Sequence, residues 1–178
     1  LSRAGYSASE ITDIFITHLH SDHILELGGL IHTAWTSGLR HQLLVHGPEG
    51  TARVWLHFLE MMEVDITVRV FDEGRPPLRD LISVFEYEQG TITQNSDFTV
   101  SALRTIHPPM TDCFALNFLS DGQKICFSGD TAYLPGLASF AESARILVHE
   151  AMLESGVDHV IAKTENADER LYKHLVAS

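Results

Sequence analysis

The chain has 178 residues, a formal net charge of −12 and eleven histidines. This length suits one domain with a sizeable core and is short for two, so we predict a single domain. The acidic balance argues against a broad surface that follows nucleic-acid phosphates, although nucleic-acid binding stays possible. No apolar run reaches the ~20 residues that a membrane helix needs and no signal peptide is evident, so we expect a cytoplasmic location without membrane contact.

The first half of the chain alternates between predicted strands and helices. Short β-branched apolar runs indicate strands, and apolar residues at three- and four-residue steps indicate helices. The predicted strands are residues 11–17 and 43–46, and the predicted helices are residues 24–36 and 51–62. Two further predicted strands, residues 66–71 and 82–87, begin the strand-rich second half. Turn residues 47–50 separate the second strand from the second helix.

The second half is predicted to be richer in strands. An Asp-Gly turn at residues 121–122 joins two of them into a hairpin. The predicted strands are residues 98–106, 114–119, 124–127 and 146–149, and the predicted helices are residues 134–142 and 165–177. Helices and strands mixed in both halves predict an α/β (α+β) fold, consistent with a four-layer αββα sandwich without being unique to it. Cys113 and Cys126 form no Cys-x-x-Cys motif, and we expect both to be buried and reduced.

The densest group of reactive side chains follows the first predicted strand, in the run His18-Leu19-His20-Ser21-Asp22-His23. In an extended loop, side chains two residues apart point to one side, so His18, His20 and Asp22 are expected to converge. His23 is expected to turn away as the helix begins. Imidazole and carboxylate groups without thiolates suit zinc, manganese or iron(II). The alternative, a loop rich in histidine by chance, is disfavoured by this density.

Two further candidate ligands also lie where predicted strands end. His107 follows the strand over residues 98–106, and Asp130 follows the strand that contains Cys126. Loops at strand ends gather side chains into shared pockets. Either residue alone would favour a turn or a core position, but beside the histidine run both become candidate metal ligands.

The run from Thr17 to His23 resembles the signature motif of the metallo-β-lactamase superfamily. The later order of His107, residues 128–131 and residues 148–151 resembles the ribonuclease Z and arylsulfatase-like branch in particular. The resemblance implies strands before Leu1 and a final histidine ligand after Ser178, so we expect the chain to hold a partial domain of this fold. His174 is read as a helix residue rather than as that ligand.

This resemblance also implies roles for individual side chains at a centre of two divalent ions, with zinc expected and manganese or iron possible. One ion would be held by His18, His20 and His107, the other by Asp22 and His23, with Asp130 as the bridging ligand. Asp22 would orient or deprotonate the attacking water. Glu150 would orient a histidine from outside the first set of ligands, or else cap a turn at the surface.

The function implied by the resemblance is metal-dependent hydrolysis, with a phosphodiester as the leading substrate class. Ribonuclease Z reaches tRNA with a basic arm, whereas the corresponding residues 74–81 are few and carry only Arg75 and Arg79. A small phosphodiester, a sulfate ester, a lactone or a thioester stays open, as does a metal-binding domain without activity. We also expect a homo-oligomer, because symmetric pairing is the commonest way to cover an exposed edge.

Overall fold

The structure, a computed structural model, describes residues 2–176 except for the side chains of Ser2, Glu154 and His174. The strands are β1 (Asp13–Phe15), β2 (Leu43–Gly47), β3 (Ile82–Glu86), β4 (Gly90–Gln94), β5 (Thr99–Arg104), β6 (Phe114–Ser120), β7 (Gln123–Phe127) and β8 (Ile146–Val148). The helices are α1 (Ser21–Ile24), α2 (Leu27–Thr36), α3 (Thr51–Met61), α4 (Glu63–Glu73), α5 (Leu78–Leu81), α6 (Pro135–Phe140), α7 (Glu154–Lys163) and α8 (Glu169–Leu175). These elements divide into two compact units, residues 1–87 and 88–178. That they form a single domain stays a prediction.

The first unit contains a parallel sheet in the order β1-β2-β3. Helices fill the connections between its strands, as parallel pairing requires a long crossover. The buried core includes Ile31 and Trp35 of α2 together with Leu43 and Val45 of β2, each at most 1% exposed. Residues 24–36, predicted as one helix, form α1 and α2 with a break at residues 25–26, but the predicted core face of α2 is confirmed.

The prediction of a strand over residues 66–71 is wrong, because this segment lies within helix α4. Alternating β-branched residues suggested a period of two, but burial follows a helical spacing. Ile66 and Val70, four residues apart, pack against the core, whereas Val68 between them is 52% exposed. Ion pairs one turn apart also stabilise the helix, at 2.9 Å from Arg69 Nε to Asp65 Oδ2 and 3.0 Å from Arg69 Nη1 to Glu73 Oε1.

The second unit contains a mixed sheet in the order β4-β5-β6-β7-β8. Neighbouring strands are antiparallel except β7 and β8, which are parallel. The predicted hairpin is confirmed, because β6 and β7 pair with Ser120 opposite Gln123. Asp121 and Gly122 between them have φ values of 49° and 71°, as a two-residue turn with two left-handed positions requires.

Several elements were not predicted from the sequence, namely β4, α5 and α7, and the final helix α8 is shorter than residues 165–177. His174 lies in α8 as expected, but its side chain and residue Ala177 lie outside the described residues. The prediction for the two cysteines is confirmed, since Cys113 and Cys126 are both reduced and buried. None of the helices described here is long and apolar enough to span a membrane.

Candidate metal centre

Two histidines of the first unit face one another just beyond β1. Beyond the strand, Ile16 N still donates to His46 O of β2 at 2.8 Å, and His20 has an extended backbone. His18 Nε2 lies 3.1 Å from His20 Nδ1, and His18 Nδ1 lies 3.2 Å from Thr17 Oγ1. His18 is completely buried. A bond from His18 Nδ1–H to the Thr17 hydroxyl would leave the lone pair of Nε2 directed at His20, which is the form of imidazole that binds a metal.

The next two candidate ligands begin helix α1, so the extended alternation stops at His20. The side chain of Asp22 is 76% exposed, and its Oδ2 lies 3.4 Å from His23 Nε2. The ring of His23 lies against that of His18, with centroids 4.0 Å apart. Contrary to the expected alternation, His23 therefore turns back toward His18 and Asp22 toward solvent. The helical turn causes this, because it places a side chain every 100° rather than every 180°.

The loop that carries His18 and His20 is held in place by contacts with the core and with the turn before α3. Tyr87 Oη donates to Ile16 O at 2.5 Å. Leu19 packs on the core, and its Cδ1 would lie 3.0 Å from a side chain placed on Gly50. Gly50 has φ 99° and precedes α3, so only glycine leaves both the backbone and Leu19 in place.

The candidate ligands of the second unit come from two loops that are bonded to each other. His107 Nε2 lies 3.7 Å from Asp130 Oδ2, and their side chains are 0% and 16% exposed. Thr105 Oγ1 donates to the Asp130 carbonyl at 2.9 Å, and Ile106 N donates to Thr131 Oγ1 at 3.3 Å. Hydrogen bonds thus join the loop after β5 to the loop after β7.

Glu150 supports the loop that carries Asp130. Its Oε1 accepts a hydrogen bond from Thr131 N, and its backbone N donates to Ser128 Oγ at 3.1 Å. Burial raises the pKa of the Glu150 carboxyl, and the nearby Asp130 carboxylate raises it further, while the Thr131 N–H acts in the opposite direction. The supporting roles of Ser128 and Thr131 were missed from the sequence. Ser128 is 2% exposed and Thr131 is 7% exposed. Tertiary packing causes this burial, so the local sequence does not reveal it.

Most of the remaining histidines have partners outside the candidate site. His46 Nε2 lies 3.2 Å from Asp13 Oδ1, and its ring stacks on Phe15. The other pairs join His32 to Asp65, His57 to Glu60 and His41 to the carbonyl of Ile11. These contacts mark the four histidines as residues of the scaffold rather than of the candidate site.

The donor atoms of both clusters fit a borderline divalent ion. Within each unit, the candidate ligand atoms lie within 4.8 Å of each other. They are imidazole nitrogens and a carboxylate oxygen, the set expected for zinc or a similar ion. Thiolate ligation is disfavoured, because burial, and then the Asp130 and Asp112 carboxylates, raise the pKa of the Cys113 thiol to about 12.

Comparison with known proteins finds relatives in both sequence and fold. The ribonuclease Z of Mycobacterium bovis is 31% identical over 159 residues, which make up 88% of this chain and 57% of that protein. The short form of human tRNase Z matches with a TM-score of 0.64 and 23% identity, over 96% of this chain and 70% of that chain. The metallo-β-lactamase fold protein YhfI of Bacillus subtilis matches with a TM-score of 0.55 and 22% identity, over 80% of this chain and 51% of that chain.

These likenesses define a ribonuclease Z-like protein of the metallo-β-lactamase superfamily, as the motif and the expected fold class had predicted. The chain belongs to the family described as anti-Pycsar protein Apyc1, whose model matches residues 1–173. It spans little more than half the length of the mycobacterial ribonuclease Z.

Proposed function

We propose that the protein is a metal-dependent hydrolase of phosphodiester bonds, and that the histidine and carboxylate clusters of the two units bind the same pair of ions. The observation that carries this proposal is the pairing of candidate ligand atoms within each unit, at 3.1 Å for His18 and His20 and 3.7 Å for His107 and Asp130, with one buried histidine in each pair. Imidazole nitrogens and a carboxylate oxygen this close together are the kind of ligand set that a borderline divalent ion prefers.

In this proposal the protein holds two divalent ions, with zinc expected and manganese or iron as alternatives. One ion is bound by His18, His20 and His107, and the other by Asp22 and His23, with Asp130 shared. Such a pair of ions lowers the pKa of water and stabilises negative charge on a phosphoryl group.

The protein's own groups position the reacting atoms. Asp22 is the proposed base that orients the attacking water and takes its proton, because its carboxylate is open to solvent beside His23. Glu150 keeps the Asp130 loop in place through the Thr131 amide. His18 and His107 are buried, so their rings are held in place by the surrounding side chains.

The charge of the chain favours a small phosphodiester over a long RNA. The names of the relatives point to RNA, but the described basic groups near residues 74–81 are few. Arg75 is committed to the scaffold, since its Nη1 donates to Trp35 O at 2.8 Å and its Nε to Glu73 at 2.5 Å. Arg79 is left as the exposed cation of this segment. One arginine is a weak basis for gripping tRNA phosphates.

The direct test is hydrolysis by the zinc- or manganese-loaded protein. We expect turnover of bis-p-nitrophenyl phosphate and little or no turnover of a thioester, a lactone or p-nitrophenyl sulfate. A precursor tRNA with a 3′ extension, assayed in parallel, separates an RNA substrate from a small diester. His107→Ala should abolish turnover, with His57→Ala as the control on an exposed helix. Metal binding without turnover of any of these substrates would instead identify a domain that binds metal and lacks activity.

The proposal also includes a homo-oligomer in the cytoplasm. Both features come from the sequence and stay predictions. Sedimentation velocity tests the oligomer.

A further inference from the structure

The hydrogen-bond ladder between β1 and β2 ends at a proline. Leu44 N donates to Thr12 O at 2.8 Å. Further along the two strands, Ile16 N donates to His46 O at the same distance of 2.8 Å. Bonds in a parallel ladder are evenly spaced and alternate in direction, so the next bond would run from the nitrogen of residue 48 to Ile16 O. Residue 48 is Pro48, which has no N–H, and β2 therefore offers the Ile16 carbonyl no donor at this place.

The donor for this carbonyl comes from Tyr87, the residue that follows β3. Strand β3 pairs with β2 and not with β1. Tyr87 N donates to Gly47 O at 2.9 Å, which continues the pairing of β3 with β2. The side chain of Tyr87 reaches beyond β2 to the residue after β1, where its Oη donates to Ile16 O at 2.5 Å. The hydroxyl thus supplies the bond that the backbone of residue 48 would make in an unbroken ladder.

The Ile16 carbonyl lies where a missing hydrogen bond is costly. Ile16 is only 6% exposed, so its carbonyl has little access to water. A buried carbonyl without a donor destabilises the folded chain, because the bond it made with water before folding is not replaced. Without the Tyr87 hydroxyl, we expect the peptide unit between Ile16 and Thr17 to rotate until its oxygen finds another donor.

This peptide unit leads directly into the candidate metal ligands. Thr17 Oγ1 lies 3.2 Å from His18 Nδ1, and His18 Nε2 lies 3.1 Å from His20 Nδ1. The backbone at Thr17 sets where its hydroxyl meets the ring of His18. That ring is completely buried, so the packing around it leaves little room to compensate for a shift of the backbone. A rotation at Ile16 is therefore passed on to both histidines.

We propose that Tyr87 is a positioning residue for the candidate metal centre. Its hydroxyl replaces the ladder bond that Pro48 cannot make, and it thereby sets the direction of the His18 ring. Tyr87 contacts neither the ion nor the substrate in this proposal, and it acts through the backbone of Ile16. The inference rests on the proposed function in one respect, because it takes His18 and His20 as metal ligands. It does not depend on which bond the protein hydrolyses.

Tyr87→Phe tests this inference, because it removes the hydroxyl and keeps the ring. We expect its zinc affinity to fall by about tenfold, as is common when a group that orients a metal ligand is lost. Competition with a chromophoric chelator measures this affinity. The visible absorption bands of the cobalt-loaded protein should also shift, because they report the geometry of the ligands, which a general loss of stability would not change. Tyr6→Phe, which removes the hydroxyl of a tyrosine that is 63% exposed, is the matched control.

A second substitution returns the missing donor to the ladder. Pro48→Ala restores a backbone N–H at residue 48 and keeps the carbonyl that accepts from Thr51 N and Thr51 Oγ1. Added to Tyr87→Phe, it should bring the zinc affinity back to within about threefold of the unchanged protein, because substitutions that act on one shared partner are not additive. Pro48→Ala alone leaves the Tyr87 hydroxyl in place and should bind zinc as the unchanged protein does.

Three results would overturn the inference: an unchanged zinc affinity in Tyr87→Phe, an unchanged cobalt spectrum, or a loss of affinity that Pro48→Ala does not restore. The proposed function is judged separately by hydrolysis of bis-p-nitrophenyl phosphate. If hydrolysis is absent but zinc affinity still depends on the Tyr87 hydroxyl, the proposed function fails and the positioning role remains. If hydrolysis is present and Tyr87→Phe binds zinc normally, only the positioning role fails.

Discussion

His18 is completely buried, and its imidazole lies between Thr17 and two other histidines. A group in this position is expected to contribute more to metal binding than an exposed histidine. We predict that His18→Ala lowers zinc affinity by about a hundredfold or more, since even losing the support of a metal ligand often costs 10- to 100-fold. His57→Ala, at an exposed site on α3, should leave the affinity unchanged.

Competition with a chromophoric chelator measures these zinc affinities. Equal affinities for the His18 and His57 variants would show that the histidine loop holds no metal.

The shifted pKa of Glu150 makes the stability of the folded protein depend on pH. Its carboxyl has a pKa raised above the ordinary value of 4.5, mainly by burial, so ionisation is harder in the folded protein than in the unfolded chain. The folded state is therefore favoured at low pH, and this advantage is lost as the pH rises from 4.5 through the raised pKa. Glu150→Gln keeps an oxygen to accept from Thr131 N but cannot ionise.

We predict that metal-free Glu150→Gln gains stability relative to the unchanged protein as the pH rises from about 4 to about 7. Thermal unfolding of both proteins across this pH range measures the difference in their stability. If the difference in stability between the two proteins does not change with pH, burial does not raise the pKa of the Glu150 carboxyl.

At the scale of elements, two adjacent glycines of α2 offer a matched test of packing. A Cβ on Gly28 would lie 2.1 Å from Cδ2 of Phe58 on α3, whereas a Cβ on Gly29 meets nothing within 4 Å. Gly28→Ala should therefore destabilise the protein by about 1–3 kcal/mol through overpacking. Gly29→Ala should stabilise it by about 0.5–1 kcal/mol through helix propensity. Urea unfolding measures both, and changes of the same sign would contradict the close packing of α2 on α3.

Helix α4 shows where local pattern misleads. Its alternating β-branched residues satisfy the two-residue period of a strand, but Ile66 and Val70 are the positions that reach the core. The pairing of Arg69 with carboxylates one turn away is also readable from the sequence and indicates a helix. The charge pattern along this segment was thus the better guide.

At the scale of the whole molecule, we predict a two-fold dimer. Val64, Val68 and Phe71 lie at three- and four-residue steps along α4 and are 80%, 52% and 87% exposed. Such an apolar row favours association, and two-fold pairing is the commonest form. Sedimentation velocity at about ten micromolar should show a dimer, because a dimer with a dissociation constant of about 1 μM or less is largely formed at this concentration.

Phe71→Glu should shift the protein toward monomer. The control is Leu25→Glu, at a residue that is 80% exposed but lies outside α4, and it should leave the dimer unchanged. A protein that sediments as a monomer without any substitution would refute the prediction.

The sequence by itself determined the chemistry that is local along the chain. The histidine run, the Asp-Gly hairpin turn and the buried cysteines are readable because each depends on neighbouring residues or on the character of one side chain. The candidate ligands were identified in the same way, and the superfamily followed from their order. That His107 and Asp130 each follow a strand was predicted too, and within the second unit their side chains lie 3.7 Å apart.

Only the tertiary structure decided which faces are covered and which polar groups meet across distant positions. Periodicity shows which residues can share a face, but burial depends on what packs against it. The helical state of residues 66–71, the contact of His23 with His18 and the bond from Thr131 to Glu150 all follow from such packing. The bond from Tyr87 to Ile16 is the clearest case, because the two residues lie 71 positions apart and no pattern along the chain predicts that they meet.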